Sequence, residues 1–217
     1  MTHQDSLVTA TQSAMPQVVE GIYDWKKYMS PDRWCSFWHQ VDLIVAQKPR
    51  QVLEVGGGNG LLRSICRTLG IDFRMMDIRG DSGPDLVGSV LQIPLEDRSV
   101  DLSCAFQMLE HIPYQDSLVG FRELCRVARR DVIISLPNAT RAFPVSLLIP
   151  RVFALRCTIP GFGLPLHRMV KSHYWEIGQS ATKLRKVIAD FSAEARLVKT
   201  FRVFENPYHQ FFHFSKE

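Results

Sequence analysis

The sequence predicts an α/β fold built on a mostly parallel sheet with helices on both faces. Three observations carry this. The apolar run Val52-Leu53-Glu54-Val55 has β-branched ends and stops at Gly56-Gly57-Gly58-Asn59-Gly60, and a helix-competent stretch with Leu61, Leu62, Ile65 and Leu69 follows. Downstream, short β-branched runs alternate with helical patterns, which implies parallel strands joined by crossover helices. The chain has 217 residues, 46% hydrophobic and 22% charged, enough for one domain with a substantial core.

Residues 1–20 are polar and are expected to be mobile, ahead of a single domain over 21–217. Residues 21–49 read as an N-terminal helical cap. Ser30 is placed to cap a helix and Pro31 to take its first position. Trp34, Phe37, Trp38, Val41, Ile44 and Val45 recur at three- and four-residue spacing, a stripe that suits packing on the sheet. The other use open to Tyr23, Trp25, Tyr28 and Trp34 is closing a cofactor or substrate pocket. Next come strand 51–55, helix 61–69 with Gly70 as its C-cap, and strands 72–76, 86–88 and 100–106. A helix over 115–128 and a buried strand over 131–136 follow. Leu184, Val187, Ile188 and Phe191 share one face of a helix over 178–190, and the last strands fall at 195–204 and 208–215. Residues 141–172 break the scaffold. They are apolar and rich in proline, read as a long loop, and loops of that length are usually functional. A lid over a substrate pocket is one reading; an oligomer or membrane-surface contact is the other.

The formal net charge of +4 is mild and its basic residues are scattered, which disfavours a nucleic-acid surface. The densest group, Arg126, Arg129 and Arg130, reads as a solvated helix end, where cations suit the dipole. The five cysteines lack C-x-x-C spacing, so neither a disulfide framework nor a metal site is expected. The first twenty residues have no basic opening and no apolar core, and no apolar run approaches the roughly 20 residues of a membrane helix. The expected location is the cytoplasm.

The glycine turn narrows the ligand. A dinucleotide fingerprint opening at Gly56 or Gly58 would close at Leu61 or Arg63, and neither is glycine. The pattern is instead Glu54-x-Gly56-x-Gly58-x-Gly60. With this motif the chain resembles the class I S-adenosylmethionine (SAM)-dependent methyltransferases. Asp77 ends the second strand, where a carboxylate can accept from two ribose hydroxyls. The order Leu86-Val87-Gly88-Ser89, Ile93-Pro94-Leu95-Glu96-Asp97, Val100-Asp101-Leu102 and Gln107-Met108-Leu109-Glu110-His111 is similar to their small-molecule, quinone-biosynthesis-like branch, methyltransferase type 11. The resemblance covers residues 50 to 137. It implies a Rossmann-like seven-stranded sheet whose antiparallel last strand inserts between the fifth and sixth.

The resemblance also implies roles. Gly56, Gly58 and Gly60 would lie under the methionine part of SAM, and Glu54 would organise its amino end. Asp77 and Ile78 would hold the ribose and one adenine face, and Ser89 and the Val90 amide would meet the adenine edge. Gln107 would lie near the methionine carboxylate or the methyl group. Ser89 stands where the family often has aspartate, so its contact carries no charge. The implied activity is methyl transfer to a small, lipophilic or aromatic acceptor, leaving S-adenosylhomocysteine (SAH). His111 and His173 are the candidate bases, since imidazole titrates near neutrality; each also reads as a structural histidine. A non-catalytic SAM-binding subunit and a nucleotide-dependent oxidoreductase are the alternatives, and a homodimer is left open.

Overall fold

A computed structural model describes residues 25–151, 153–161 and 172–216. The stretch 1–20, Tyr23 and residues 162–171 of the expected insertion lie outside the described residues. Two helices come first, α1 (Trp25–Tyr28) and α2 (Pro31–Ala46). Ser30 is extended at φ −119° and its Oγ accepts from the Arg33 N–H at 3.4 Å, so it caps α2, with Pro31 in the first helical turn. The chain continues through β1 (Gln51–Val55), α3 (Leu61–Thr68), β2 (Asp72–Asp77), β3 (Leu86–Val87), β4 (Val100–Phe106), α4 (Tyr114–Val127) and β5 (Ala128–Pro137). It ends with β6 (Ala142–Ile149), β7 (Phe153–Pro160), α5 (Leu184–Phe191), β8 (Arg196–Arg202) and β9 (His209–Ser215).

Seven strands form one sheet in the order β3-β2-β1-β4-β5-β9-β8. The pairs from β3 to β5 are parallel, and β9 runs antiparallel between β5 and β8. This is the seven-stranded, mostly parallel sheet with an antiparallel last strand that the sequence predicts. Alternate residues of each strand feed two cores. On one face Leu53, Val132, Ile134 and Phe212 pack with Phe121 and Leu124 of α4 and Val187 and Phe191 of α5. On the other, Val52, Phe73, Ile133 and Phe211 pack with Leu43 and Ile44 of α2 and Leu62 and Cys66 of α3.

Four expectations are corrected. Of the predicted α2 stripe, Ile44 is buried and Phe37 and Val41 pack against the core, but Trp34, Trp38 and Val45 are exposed, and the fully buried face also takes Ser36, Gln40 and Leu43. Burying Ser36 is permitted because its Oγ bonds the Asp32 carbonyl and accepts from Asn206. Helix α5 begins at Leu184 rather than 178, because Gly178 (φ +103°) and a Thr182 hydroxyl bond to the Glu176 carbonyl hold 178–182 in a turn. Arg129 and Arg130 belong to β5, and Arg126 is tied to Glu123, Asp97 and the Ile93 and Leu95 carbonyls, so the group is not a solvated helix end. Finally, the described part of 141–172 is a two-stranded antiparallel ribbon, β6 on β7, with Ile149 opposite Phe153 at its tip. Prolines do not forbid it, since both strands are edges with a free N–H side.

Candidate functional site

The parallel strands β1, β2 and β4 deliver their carboxyl ends to one edge of the sheet, where open α/β folds bind ligands. The Gly56 N–H donates to the Met76 carbonyl at 2.8 Å, which locks the turn against β2. Gly56, Gly58 and Gly60 all lie at positive φ (+77°, +56° and +70°). A Cβ on Gly56 would come within 2.3 Å of Met108 Cγ, and one on Gly57 within 2.6 Å of Glu54 Oε2 and 2.5 Å of Met75 Cγ. The backbone therefore runs bare beside the strand tips. Asn59 Oδ1 accepts from the Leu61 N–H at 3.1 Å and opens α3.

Glu54 follows Val52 on the α2/α3 face of β1. It is 4% exposed, and its Oε2 has no hydrogen-bond partner among the described residues. Burial pushes its carboxyl up to about 8; Arg63 opposes the shift and Asp77 adds to it. Tyr28 of α1 has the Arg33 guanidinium 4.4 Å from its ring centre. Burial raises the Tyr28 hydroxyl, Arg33 lowers it, and the Glu54 charge raises it further.

Asp77 closes β2 at the same edge, half-buried, with Oδ1 accepting from the Arg79 N–H at 3.0 Å. Ile78 beside it is 43% exposed. The Ser89 Oγ accepts from the Leu91 N–H at 3.2 Å, and Val90 is buried with its side chain against Gly120, so only its backbone is open to a ligand. Gln107 follows β4 at φ +50°, a costly conformation for a residue with a side chain. Its amide bonds the Ser135 carbonyl at 3.0 Å and its Nε2 the Ser135 hydroxyl at 3.2 Å, which ties this tip to β5.

His111 ends a short 3₁₀ turn, Leu109–His111, rather than starting a helix; α4 begins only after Pro113. The segment after the ribbon returns to the same edge. The Ile177 N–H bonds the Pro137 carbonyl, and the Tyr174 N–H bonds the Glu110 carbonyl at 2.8 Å. That places the His173 ring edge-on to His111, with centres 4.9 Å apart. His111 Nδ1 lies 3.0 Å from the Ser172 carbonyl, and His173 Nδ1 lies 2.8 Å from Glu176 Oε1, which also accepts from the Tyr208 hydroxyl at 2.8 Å. Burial lowers the His111 imidazole.

Three residues here, Gly57, Glu110 and Tyr208, went unread in the sequence. Gly57 lacks the alternate spacing of the motif, yet its Cα is against Glu54. Glu110 was only part of a Leu-Glu-His pattern. Glu176, three residues from His173, is the acidic residue that the family resemblance expects there, but Tyr208 is joined to it only by the fold. The Arg63–Asp85–Arg67 network, with Asp85 also accepting from the Met75 N–H, braces α3 against the loop after β2.

A separate cleft of about 580 Å³ lies at the same end of the sheet, on the α2 side. Trp34, Trp38 and His39 of α2, Arg156 and Cys157 of β7, and Phe201 and Phe204 line it, among others. The exposed tryptophans of α2 thus face an aromatic cleft instead of the sheet.

This sheet order, with a bare glycine turn and acidic strand tips, is that of a Rossmann-like α/β domain. Residues 53–136 match a family model described as a methyltransferase domain. No curated protein sequence matches the chain. Among solved structures, magnesium protoporphyrin IX methyltransferase from Synechocystis PCC 6803, with bound SAM, is 13% identical with TM-score 0.59, over 86% of this chain and 80% of that one. A SAM-dependent methyltransferase from Aquifex aeolicus is 16% identical with TM-score 0.55, over 88% of this chain and 96% of that one. The Burkholderia thailandensis 1,6-didemethyltoxoflavin-N1-methyltransferase, with substrate and SAH bound, is 12% identical with TM-score 0.58, over 83% and 78% respectively. At these identities the likeness is one of fold. No helix of the described residues is long and apolar enough to cross a membrane.

Proposed function

We propose that this chain transfers a methyl group from SAM to a small acceptor with an apolar or aromatic body, releasing SAH. The observation that carries this is Glu54: a buried carboxylate with an unpartnered oxygen, on the lip of a turn with no room for a Cβ. An orphaned acceptor is costly unless a ligand completes it, and the ammonium of SAM's methionine end is the matching donor. When bound, SAM supplies an electrophilic methyl group on a sulfonium sulfur. Gly56, Gly58 and Gly60 would lie under the methionine part and Asp77 would accept from the ribose hydroxyls. Ile78 would cover one adenine face, and Ser89 and the Val90 amide would border the adenine edge. Gln107 would stand near the methionine carboxylate.

An in-line displacement with its leaving group in place asks the protein mainly for alignment and exclusion of water. Tyr28 and the ribbon β6–β7 would supply the exclusion, as a cap and a lid. His111 and His173 would face the acceptor. A carbonyl can only accept, so His111 Nδ1 carries a proton toward Ser172, and Nε2 keeps the lone pair able to take the acceptor's proton. The aromatic cleft beside Trp34 and Trp38 supports a flat or lipophilic acceptor. A cytoplasmic setting fits five free cysteines. The ion-paired Arg67, Arg126 and Arg129 fit a protein without a nucleic-acid partner.

Calorimetry with SAM and SAH, followed by transfer of a labelled methyl group to a panel of phenols, quinols and amines, tests the proposal. Saturable heat and labelled product are expected. No heat with either compound would overturn it; tight binding without transfer to any acceptor would point to a non-catalytic subunit.

A further inference from the structure

The residues around His111 carry a feature that methyl transfer by itself does not use. Glu110 is fully buried, and no donor from another described residue reaches either carboxylate oxygen. One donor atom from each of Glu110, His111 and His173 lies within 4.8 Å of the others. A bare carboxylate beside two imidazoles, none bonded to another of the three, is an arrangement that wants a shared cation.

The tautomers are set from outside the cluster. The Ser172 carbonyl at 3.0 Å requires the proton of His111 on Nδ1. Glu176 Oε1 at 2.8 Å, held by the Tyr208 hydroxyl, draws the proton of His173 onto Nδ1. Both rings then keep their lone pair on Nε2. An imidazole whose other nitrogen donates to a carboxylate or a backbone carbonyl is the usual metal-ligand arrangement. Metal–ligand bonds of roughly 2.0–2.2 Å place the donors of one ion about 3–4 Å apart, against a separation of up to 4.8 Å here.

We propose that Glu110, His111 and His173 bind one divalent first-row transition ion, with two nitrogens and one oxygen as ligands and the remaining positions open toward the acceptor. Imidazole favours zinc, iron or manganese over magnesium and calcium, which take oxygen ligands. This deepens the reading of the site above. The pair of histidines then acts on the acceptor through the ion, and the acceptor offers an oxygen to it. The binding itself does not depend on SAM.

The test uses the full chain, stripped with chelator and titrated with Zn²⁺ or Mn²⁺ by calorimetry and thermal melting, with Mg²⁺ and Ca²⁺ as comparisons. One Zn²⁺ or Mn²⁺ per chain is expected, at least tenfold tighter than Mg²⁺, with a raised melting temperature. Glu110→Gln should fold, because it removes only a buried charge, and should weaken binding by about tenfold or more. X-ray absorption on the zinc form should show two imidazoles, falling to one in His173→Gln. SAM affinity of Glu110→Gln should match the parent, so a failed metal test leaves the methyl-transfer reading standing, and the reverse. No saturable zinc or manganese binding, or parent-like affinity in both variants, would overturn the proposal.

Discussion

The Glu54 carboxylate and the Gly57 Cα are packed so closely that a Cβ on Gly57 would stand 2.6 Å from Glu54 Oε2. A glycine outside the alternate motif positions therefore holds open the space that the carboxylate faces. Gly57→Ala should push on both Glu54 and Met75, whose Cγ would be 2.5 Å away. Overpacking of this kind costs about 1–3 kcal/mol. The expected outcome is a lower melting temperature together with a SAH affinity reduced at least tenfold. A variant that binds SAH like the parent would show that the ligand does not use this turn.

Glu54 gives the ligand-free protein a pH signature. Its carboxyl is pushed from 4.5 up to about 8 by burial, so the fold favours the neutral form. Below pH 4.5 both folded and unfolded chains are protonated and nothing is lost. As pH rises from 4.5 to about 8 the unfolded chain ionises first, and stability falls by as much as roughly 5 kcal/mol, at about 1.4 kcal/mol per unit. Glu110, also pushed up to about 8 by burial, adds a fall in the same window. Glu54→Gln should remove its part of the slope in urea unfolding and be more stable than the parent at pH 8. A ligand ammonium at Glu54 reverses the preference, so SAM binding near pH 7 should release close to one proton, visible as heats that vary with buffer. Equal heats in buffers of different ionisation enthalpy would count against that contact.

Much of this fold was legible because strand and turn chemistry is local. The β1–glycine–α3 unit, the buried β5 and the positions of the other strands along the chain follow from β-branched runs between breakers, whereas the insertion of β9 between β5 and β8 was implied only by the family resemblance. The α2 stripe was half legible for a physical reason: Phe37, Val41 and Ile44 do pack on the core, but Trp34 and Trp38, which look like core, line an aromatic cleft, while buried Ser36 and Gln40 hide in polar-looking positions. The ribbon was hidden by its prolines and by the lack of polar alternation, since it has no buried face to mark. At the site, His111 and His173 could be named one by one. Their pairing could not, because it depends on the 172–177 segment returning to the end of β5 across a long separation.

Asp77 tests the other end of the proposed ligand. It already accepts from the Arg79 N–H, and it retains acceptor positions for a ribose. Hydrogen bonds to a charged group are worth about 1.5–3 kcal/mol, so Asp77→Ala should weaken SAM and SAH binding by roughly 10- to 100-fold. Asp77→Asn, which keeps one acceptor oxygen, should fall between. Parent-like affinity in Asp77→Ala would move the ribose elsewhere.

The ribbon β6–β7 exposes Phe143, Val145, Leu147, Leu148, Ile149, Leu155 and Ile159, an apolar surface too large to be idle. It springs from the end of β5 and lies beside the aromatic cleft, which Arg156, Cys157 and Thr158 of β7 help to line. Replacing residues 143–159 by a short glycine-serine turn keeps the base, where Ala142 pairs with Pro160. None of the residues proposed to hold SAM is removed, so SAH affinity should be unchanged. With the wall and cover of the acceptor space gone, methyl transfer should drop at least 100-fold, with KM for the acceptor raised before kcat fails. Sizing by light scattering separates the other reading: if the parent is a dimer and the shortened chain a monomer with full turnover, the ribbon is an interface and not a lid. Retained turnover in a chain that stays in the same oligomeric state would remove both roles.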